Sequence, residues 1–141
     1  MNKIYKGRKI VRGKVKAQAK DRDGPVFYDD SVEVFLKPPE AKSAYLHLAV
    51  NTAGVQFDQR IFDTAWNADW QAACKVLPDS WTAEIAIPFA ALAYLRPVPG
   101  TTWGINLARN RTISGEIETL VWSVPYGTLH SPGRFGTATF E

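Results

Sequence analysis

Along SVEVFL the residues alternate in kind, so that in a strand Ser31, Glu33 and Phe35 share one face and Val32, Val34 and Leu36 the other. Period-two stretches recur through the chain. SAYLHLAVN runs to the turn NTAG, and VQFDQR returns as its hairpin partner. DWQAACKVL and SWTAEIAIP flank the short turn PDS, TTWGINLARNR and TLVWSVP pair across TISGEIE, and RFGTATFE closes the chain. KIVRGKVKAQAKD alternates more loosely, with Ile10, Val15, Ala17 and Ala19 as inward positions. One segment has helical spacing: in PFAALAYL, Pro88 suits a first turn, Phe89, Leu92 and Leu95 form a stripe, and Pro97 and Pro99 stop it. At least seven short strands divided by Gly and Pro turns predict an all-β antiparallel sandwich, not βαβ units.

The 141 residues suffice for one domain, residues 1–141, and no repeat or linker divides them. Hydrophobic residues make up 45% and charged residues 22%, the balance of a globular protein. With Trp 5, Tyr 5 and Phe 7, the chain holds enough rings for both a core and a binding face. Cys74 is the only cysteine, which excludes an intrachain disulfide and a cysteine-based zinc site. No apolar run has the length of a membrane span, and the basic opening lacks the apolar stretch of a secretory signal. Charge is uneven: Lys3, Lys6, Arg8, Lys9, Arg12, Lys14, Lys16 and Lys20 are the only charged residues up to position 20, and the remainder is net acidic. Such an arm suits either an anionic partner such as nucleic acid or a strand edge guarded by lysines, and the second reading is preferred.

The position of Glu33 raises the functional question. It shares its face with an aromatic instead of the aliphatic residues, the mixture that a sugar site requires: rings for the C–H face of a pyranose, polar groups for its hydroxyls. A strand glutamate paired with a neighbouring arginine explains the residue equally well. In TTWGINLARNR, Trp103, Ile105, Leu107 and Arg109 share one face, Gly104, Asn106, Ala108 and Asn110 the other. Trp122 shares its face with Leu120 and Val124, as a core residue would. Asp21, Asp23, Asp29 and Asp30 offer oxygens for Ca²⁺, but DRDG lacks the distal glutamate of an EF-hand loop, and turn formation accounts for the first two. No catalytic motif is found. Glu33 and Glu84 are the one conceivable glycosidase pair, His47 falls in a strand and His130 in a loop, and the chain is read as a non-enzyme.

The ordered segments RDGPVFYDDSVEVFL, LHLAVNTAGVQFD, WTAEIAIPFAAL, GTTWGINLARNR and LVWSVPYGTLHSPGRFGTATF resemble the family 9 carbohydrate-binding modules and their wider family 9-like relatives, over about residues 12–140. The resemblance implies a β-sandwich, Ig-like or jelly-roll-like, that binds sugars without cleaving them. It further implies two aromatic clamp positions, at Phe27 with Tyr28 beside it and at Trp122, with Glu33 as the strand glutamate and Arg109 and Asn110 as polar partners. Structural calcium in relatives points to the aspartate loop; otherwise no cofactor is expected. Relatives usually act in extracellular or periplasmic settings, which leaves this chain's compartment unassigned.

Two departures from the family pattern matter. Phe27 stands where relatives have tryptophan, keeping a stacking face but losing an N–H donor. Relatives also begin with further strands, so that residues 1–11 here are a basic segment ahead of an N-terminally shortened sandwich. A sandwich without those strands leaves a sheet edge and apolar core uncovered, and a homodimer along that edge is expected. The alternative to sugar binding is a β-sandwich scaffold acting through dimerisation or its basic arm. A haem domain is set aside because Met1 is the only methionine.

Overall fold

The protein, seen here as a computed structural model, is described for residues 14–113 and 115–141. Eight strands are formed among them: β1 Ser31–Lys37, β2 Leu46–Asn51, β3 Gln56–Arg60, β4 Gln71–Val76, β5 Trp81–Ala86, β6 Thr102–Ile113, β7 Glu116–Val121 and β8 Gly136–Thr139. They build an antiparallel β-sandwich with one large and one small sheet. The large sheet runs β3-β2-β1-β6-β7, and β8 shares the outer edge of the long β6 with β7; β4 and β5 form the small sheet.

Alternation decides which side chains meet between the sheets. Leu46, Leu48 and Val50 of β2 are fully buried there with Trp70, Leu92 and Trp103, against Ala72, Cys74, Ala83 and Ile85 of the small sheet. Burying each of the three aliphatic side chains contributes roughly 1.5–3 kcal/mol. With two strands, β4 and β5 cover only part of the larger sheet. Toward its other edge, Leu107, Leu120 and Trp122 stay exposed on the same face.

The burial along β1 therefore differs from the expectation set by its aliphatic residues. Val32, Val34 and Leu36 are half-buried, whereas Ser31, Glu33 and Phe35 on the opposite face are buried. That face is roofed by the chain after β7. Asn106, fully buried, accepts the Ser123 N–H at 2.9 Å and donates to the Ser123 carbonyl at 2.9 Å, and this double bond pins the base of the returning segment to β6. Leu129 and Phe135 from that segment pack on Phe35, Tyr45 and Ala108.

Two expected elements are absent. PFAALAYL makes only a 3-10 turn, Phe89–Leu92, because Ala93 takes a left-handed φ of 56° and breaks the spacing before Leu95. KIVRGKVKAQAKD forms no strand over residues 14–20. Carboxylates replace a ladder there: Asp29 accepts the N–H groups of Gln18 at 2.8 Å and Ala19 at 2.9 Å, and Asp30 accepts that of Lys16 at 2.6 Å. The rest of that expected strand, the basic segment and the sheet edge proposed for dimerisation lie outside the described residues. Among the described residues no helix is long and apolar enough to cross a membrane.

Candidate functional site

On the face of the large sheet away from β4 and β5, five strands contribute side chains to a hydrogen-bonded row, β1 two of them and the others one each. Gln59 (β3) donates from Nε2 to His47 (β2) Nδ1 at 3.2 Å, which leaves the ring proton on Nε2, and Nε2 donates to Glu33 (β1) Oε2 at 2.5 Å. Asn110 (β6) donates from Nδ2 to Glu33 Oε1 at 2.6 Å and to Ser31 Oγ at 3.1 Å, while Thr119 (β7) donates to Asn110 Oδ1 at 2.7 Å. Strand register sets up the row: Gln59 lies opposite His47, Asn110 opposite both Ser31 and Thr119, and Glu33 one step along between them. Glu33 is only 4% exposed, and a carboxylate so buried is tolerated because both oxygens accept bonds.

Rings hold this row in place. Phe35 stacks on His47 at 4.2 Å and 8°, and Phe57 meets the imidazole edge-on at 5.3 Å. From the roofing segment, His130 approaches His47 at 5.4 Å and shares a hydrogen bond of 2.7 Å with Tyr45 Oη through its Nδ1. Burial raises the pKa of the Tyr45 hydroxyl. Above the row lies an open hollow of about 1010 Å³, at the upper end of the range of ligand clefts, roughly 300–1,000 Å³.

The walls of the hollow are aromatic. Edge-to-face contacts lead from Phe57 to Phe27 at 5.6 Å and from Phe27 to Tyr28 at 4.9 Å, which leaves Tyr28 57% exposed at one end. At the other end stands Phe62, 71% exposed, 5.5 Å from the His130 ring. Ile61 takes a left-handed φ of 59°, costly for a β-branched residue, and the turn it makes brings Phe62 to the rim.

Of the residues expected from the sequence, Phe27, Tyr28, Glu33 and Asn110 all line this one hollow. Arg109 and Trp122 do not. Arg109 precedes Asn110 in β6 and so points to the opposite face, where it pairs with Leu120. Trp122 follows Val121, which faces the hollow, and its indole lies over Gly136, where any Cβ would come within 2.4 Å of the ring. Phe27 and Trp122 thus form no clamp across the hollow. His47, Gln59, Thr119, Phe62 and His130 were missed. The strand positions follow once register is known; Phe62 and His130 are brought in by loops that no local pattern marks.

The aspartates do not converge on a metal. Asp29 and Asp30 spend their oxygens on backbone N–H groups, Asp29 also accepts from Asn51 Nδ2 at 2.9 Å, and Asp23 accepts the Asp58 N–H at 3.1 Å. Asp21 serves the turn through its carbonyl, bonded by the Gly24 N–H at 3.1 Å. Among the described residues no group of three or more His, Cys, Asp or Glu is placed to hold a metal ion. Arg22, between Asp21 and Asp23, instead ties the loop to β3 through Asp58 at 2.8 Å and Gln56 at 3.0 Å. Glu84 projects outward from the small sheet, on the far side of the sandwich from Glu33, which excludes a catalytic pair.

A family model described as "Carbohydrate family 9 binding domain-like" matches residues 6–141. Among solved structures, a candidate carbohydrate-binding protein from Bacteroides uniformis superposes with a TM-score of 0.70 at 21% identity, covering 90% of this chain and 68% of that one. A family 9 carbohydrate-binding module from Caldicellulosiruptor kristjanssonii in complex with glucose gives 0.67 at 24% identity, over 90% of this chain and 65% of the module. The same organism's module in complex with cellotriose gives 0.60 at 24%, over 85% and 62%. The chain thus spans about two thirds of these structures' length, and at such identities the likeness is one of fold. A comparison with curated proteins found no match.

The row also has a pH signature. Burial first, and then the neighbouring His47, hold the His130 pKa below the ordinary 6.5, with Glu33 pulling weakly the other way. Below about pH 6.5 the unfolded chain therefore binds a proton at this position that the folded chain does not. The resulting stability is complete above that pH and is lost as pH falls. The thermal unfolding midpoint of His130→Gln should fall less steeply between pH 7 and 5 than that of the native chain. Parallel slopes would contradict this assignment.

Proposed function

The chain belongs to the carbohydrate family 9 binding domain-like family, and on that premise we propose that it binds a sugar, without cleaving it, in the hollow above Glu33. The observation that carries the reading is the pairing of an aromatic wall with a hydrogen-bonded polar floor in one open cleft. Tyr28, with a ring face free, stacks on the C–H face of a pyranose. Glu33 and the Asn110 Oδ1 accept from its hydroxyls; each of these oxygens accepts one internal bond and retains capacity for a second, whereas both ring nitrogens of His47 are spent within the row. Because the row satisfies these groups internally, the floor is pre-organised and little ordering is lost on binding. The glucose and cellotriose carried by the C. kristjanssonii modules support a neutral hexose as the first ligand to try. Phe27 supports Tyr28 from behind, and Trp122 has no part in the site.

A second copy of the chain is proposed to cover the open side of the large sheet. Leu107, Leu120 and Trp122, the last 58% exposed, make an apolar strip that the small sheet leaves bare. Exposed apolar side chains grouped in this way, with Arg109 beside Leu120, favour association, and a homodimer formed over them leaves the hollow free on the opposite face.

Two outcomes are expected. In titrations with mono- and oligosaccharides followed by calorimetry, at least one neutral sugar binds, and Tyr28→Ala weakens it about three- to tenfold; a silent panel would remove the proposal. Light scattering at micromolar concentration should give a dimer that Leu120→Asp converts to monomer, and a monomeric native chain would refute the dimer.

A further inference from the structure

Beside the main hollow lies a second depression of about 390 Å³, lined by Gln18, Lys20, Asp21 and Asp29 and sharing Gly24, Pro25 and Tyr28 with the first. The two are thus neighbours across one ridge, and the crest of that ridge is the exposed Tyr28 ring. The direction of the main hollow follows from the strands. Tyr28 stands just before Ser31, at one end of β1, whereas Phe62 and His130 stand near Tyr45, beside the other end. The floor between them runs the four steps from Ser31 to Phe35, about 13 Å at roughly 3.3 Å per residue. The second depression adjoins the Tyr28 end of this floor, through the shared Gly24, Pro25 and Tyr28.

The ridge is built to stay in place. Val26 is fully buried, Asp29 is fixed by three N–H donors, and the Tyr28 carbonyl accepts the Lys16 ammonium at 2.9 Å. The Tyr28 ring meets Phe27 in a T-shaped contact and stays more than half exposed. Beyond it, Gln18, Lys20 and Asp21 are exposed at the margin of the depression, an amide, an ammonium and a carboxylate that match the mixed donor and acceptor character of sugar hydroxyls.

We infer that the second depression is a further sugar subsite, so that the protein takes an extended oligosaccharide which crosses Tyr28 with one part over Glu33 and the next residue against Lys20 and Asp21. The inference rests on the sugar-binding reading of the main hollow and adds to it a length requirement. Affinity for glucose measures the hollow alone; the increment with chain length measures the continuation.

Calorimetry with glucose and the cello-oligosaccharides of two to six residues, and with xylose and its oligomers of the same lengths, separates the two. In the series that binds, the native chain should gain roughly tenfold between the monosaccharide and the longer oligomers, the worth of one or two added hydrogen bonds. The double variant Lys20→Ala/Asp21→Ala, altered only at exposed side chains, should lose that gain while its monosaccharide affinity stays unchanged. A flat dependence on length, or a gain that survives the double variant, would overturn the subsite and leave the main hollow's role intact. Absence of binding by every sugar in both series would overturn the two readings together.

Discussion

A carboxylate placed on the inner side of a sheet must have its charge answered there, and the structure around the hollow is organised by how Glu33 meets that requirement. Its two oxygens are taken by His47 and Asn110, and the outer ends of those partners are taken by Gln59 and Thr119. Removing one member of such a buried charged set leaves the rest uncompensated, a loss of about 3–5 kcal/mol. The row also specifies register. A slip of one residue in any of the five strands would send its polar member to the opposite face, so a single set of bonds ties the alignment of the whole sheet to the charge at its centre.

The same constraint gives the sheet two unlike sides. On one, leucines, valines and tryptophans make a conventional core with β4 and β5, and the strip around Trp122 is left over. On the other, polar groups are buried by being bonded to each other and roofed by the segment that Asn106 and Tyr45 hold down. A floor of this kind is satisfied when empty and still offers acceptor capacity, on Glu33 and Asn110, to a ligand. The aromatic residues at its ends come from the turns before β1 and after β3, so the scaffold is rigid and recognition sits on its loops.

Much of the architecture could be read from the chain because alternation of period two is a local property. The hairpins of β2 with β3, β4 with β5 and β6 with β7 all follow from it, as does the separation of Glu33 from Val32 and Val34. The PFAALAYL helix failed because three apolar residues at helical spacing do not outweigh a left-handed Ala93. Residues 14–20 form no strand because Asp29 and Asp30 satisfy backbone groups there with side chains, a bond pattern that periodicity cannot reveal. Phe27, Tyr28, Glu33 and Asn110, named from motif and alternation, come together along one hollow. Arg109 could have been excluded by the same alternation, since it is adjacent in sequence to Asn110. Trp122, a clamp position by resemblance, lies on the face it shares with Leu120, as periodicity indicates.

The central claim is that ligand recognition belongs to the face bearing Glu33 and not to the face bearing Trp122. A crystal structure of the protein grown with a cello-oligosaccharide bears on this most directly. A pyranose ring is expected against Tyr28, with hydroxyls within hydrogen-bonding distance of Asn110 or Glu33. Density for the sugar across Leu107, Leu120 and Trp122, with the hollow empty, would contradict it.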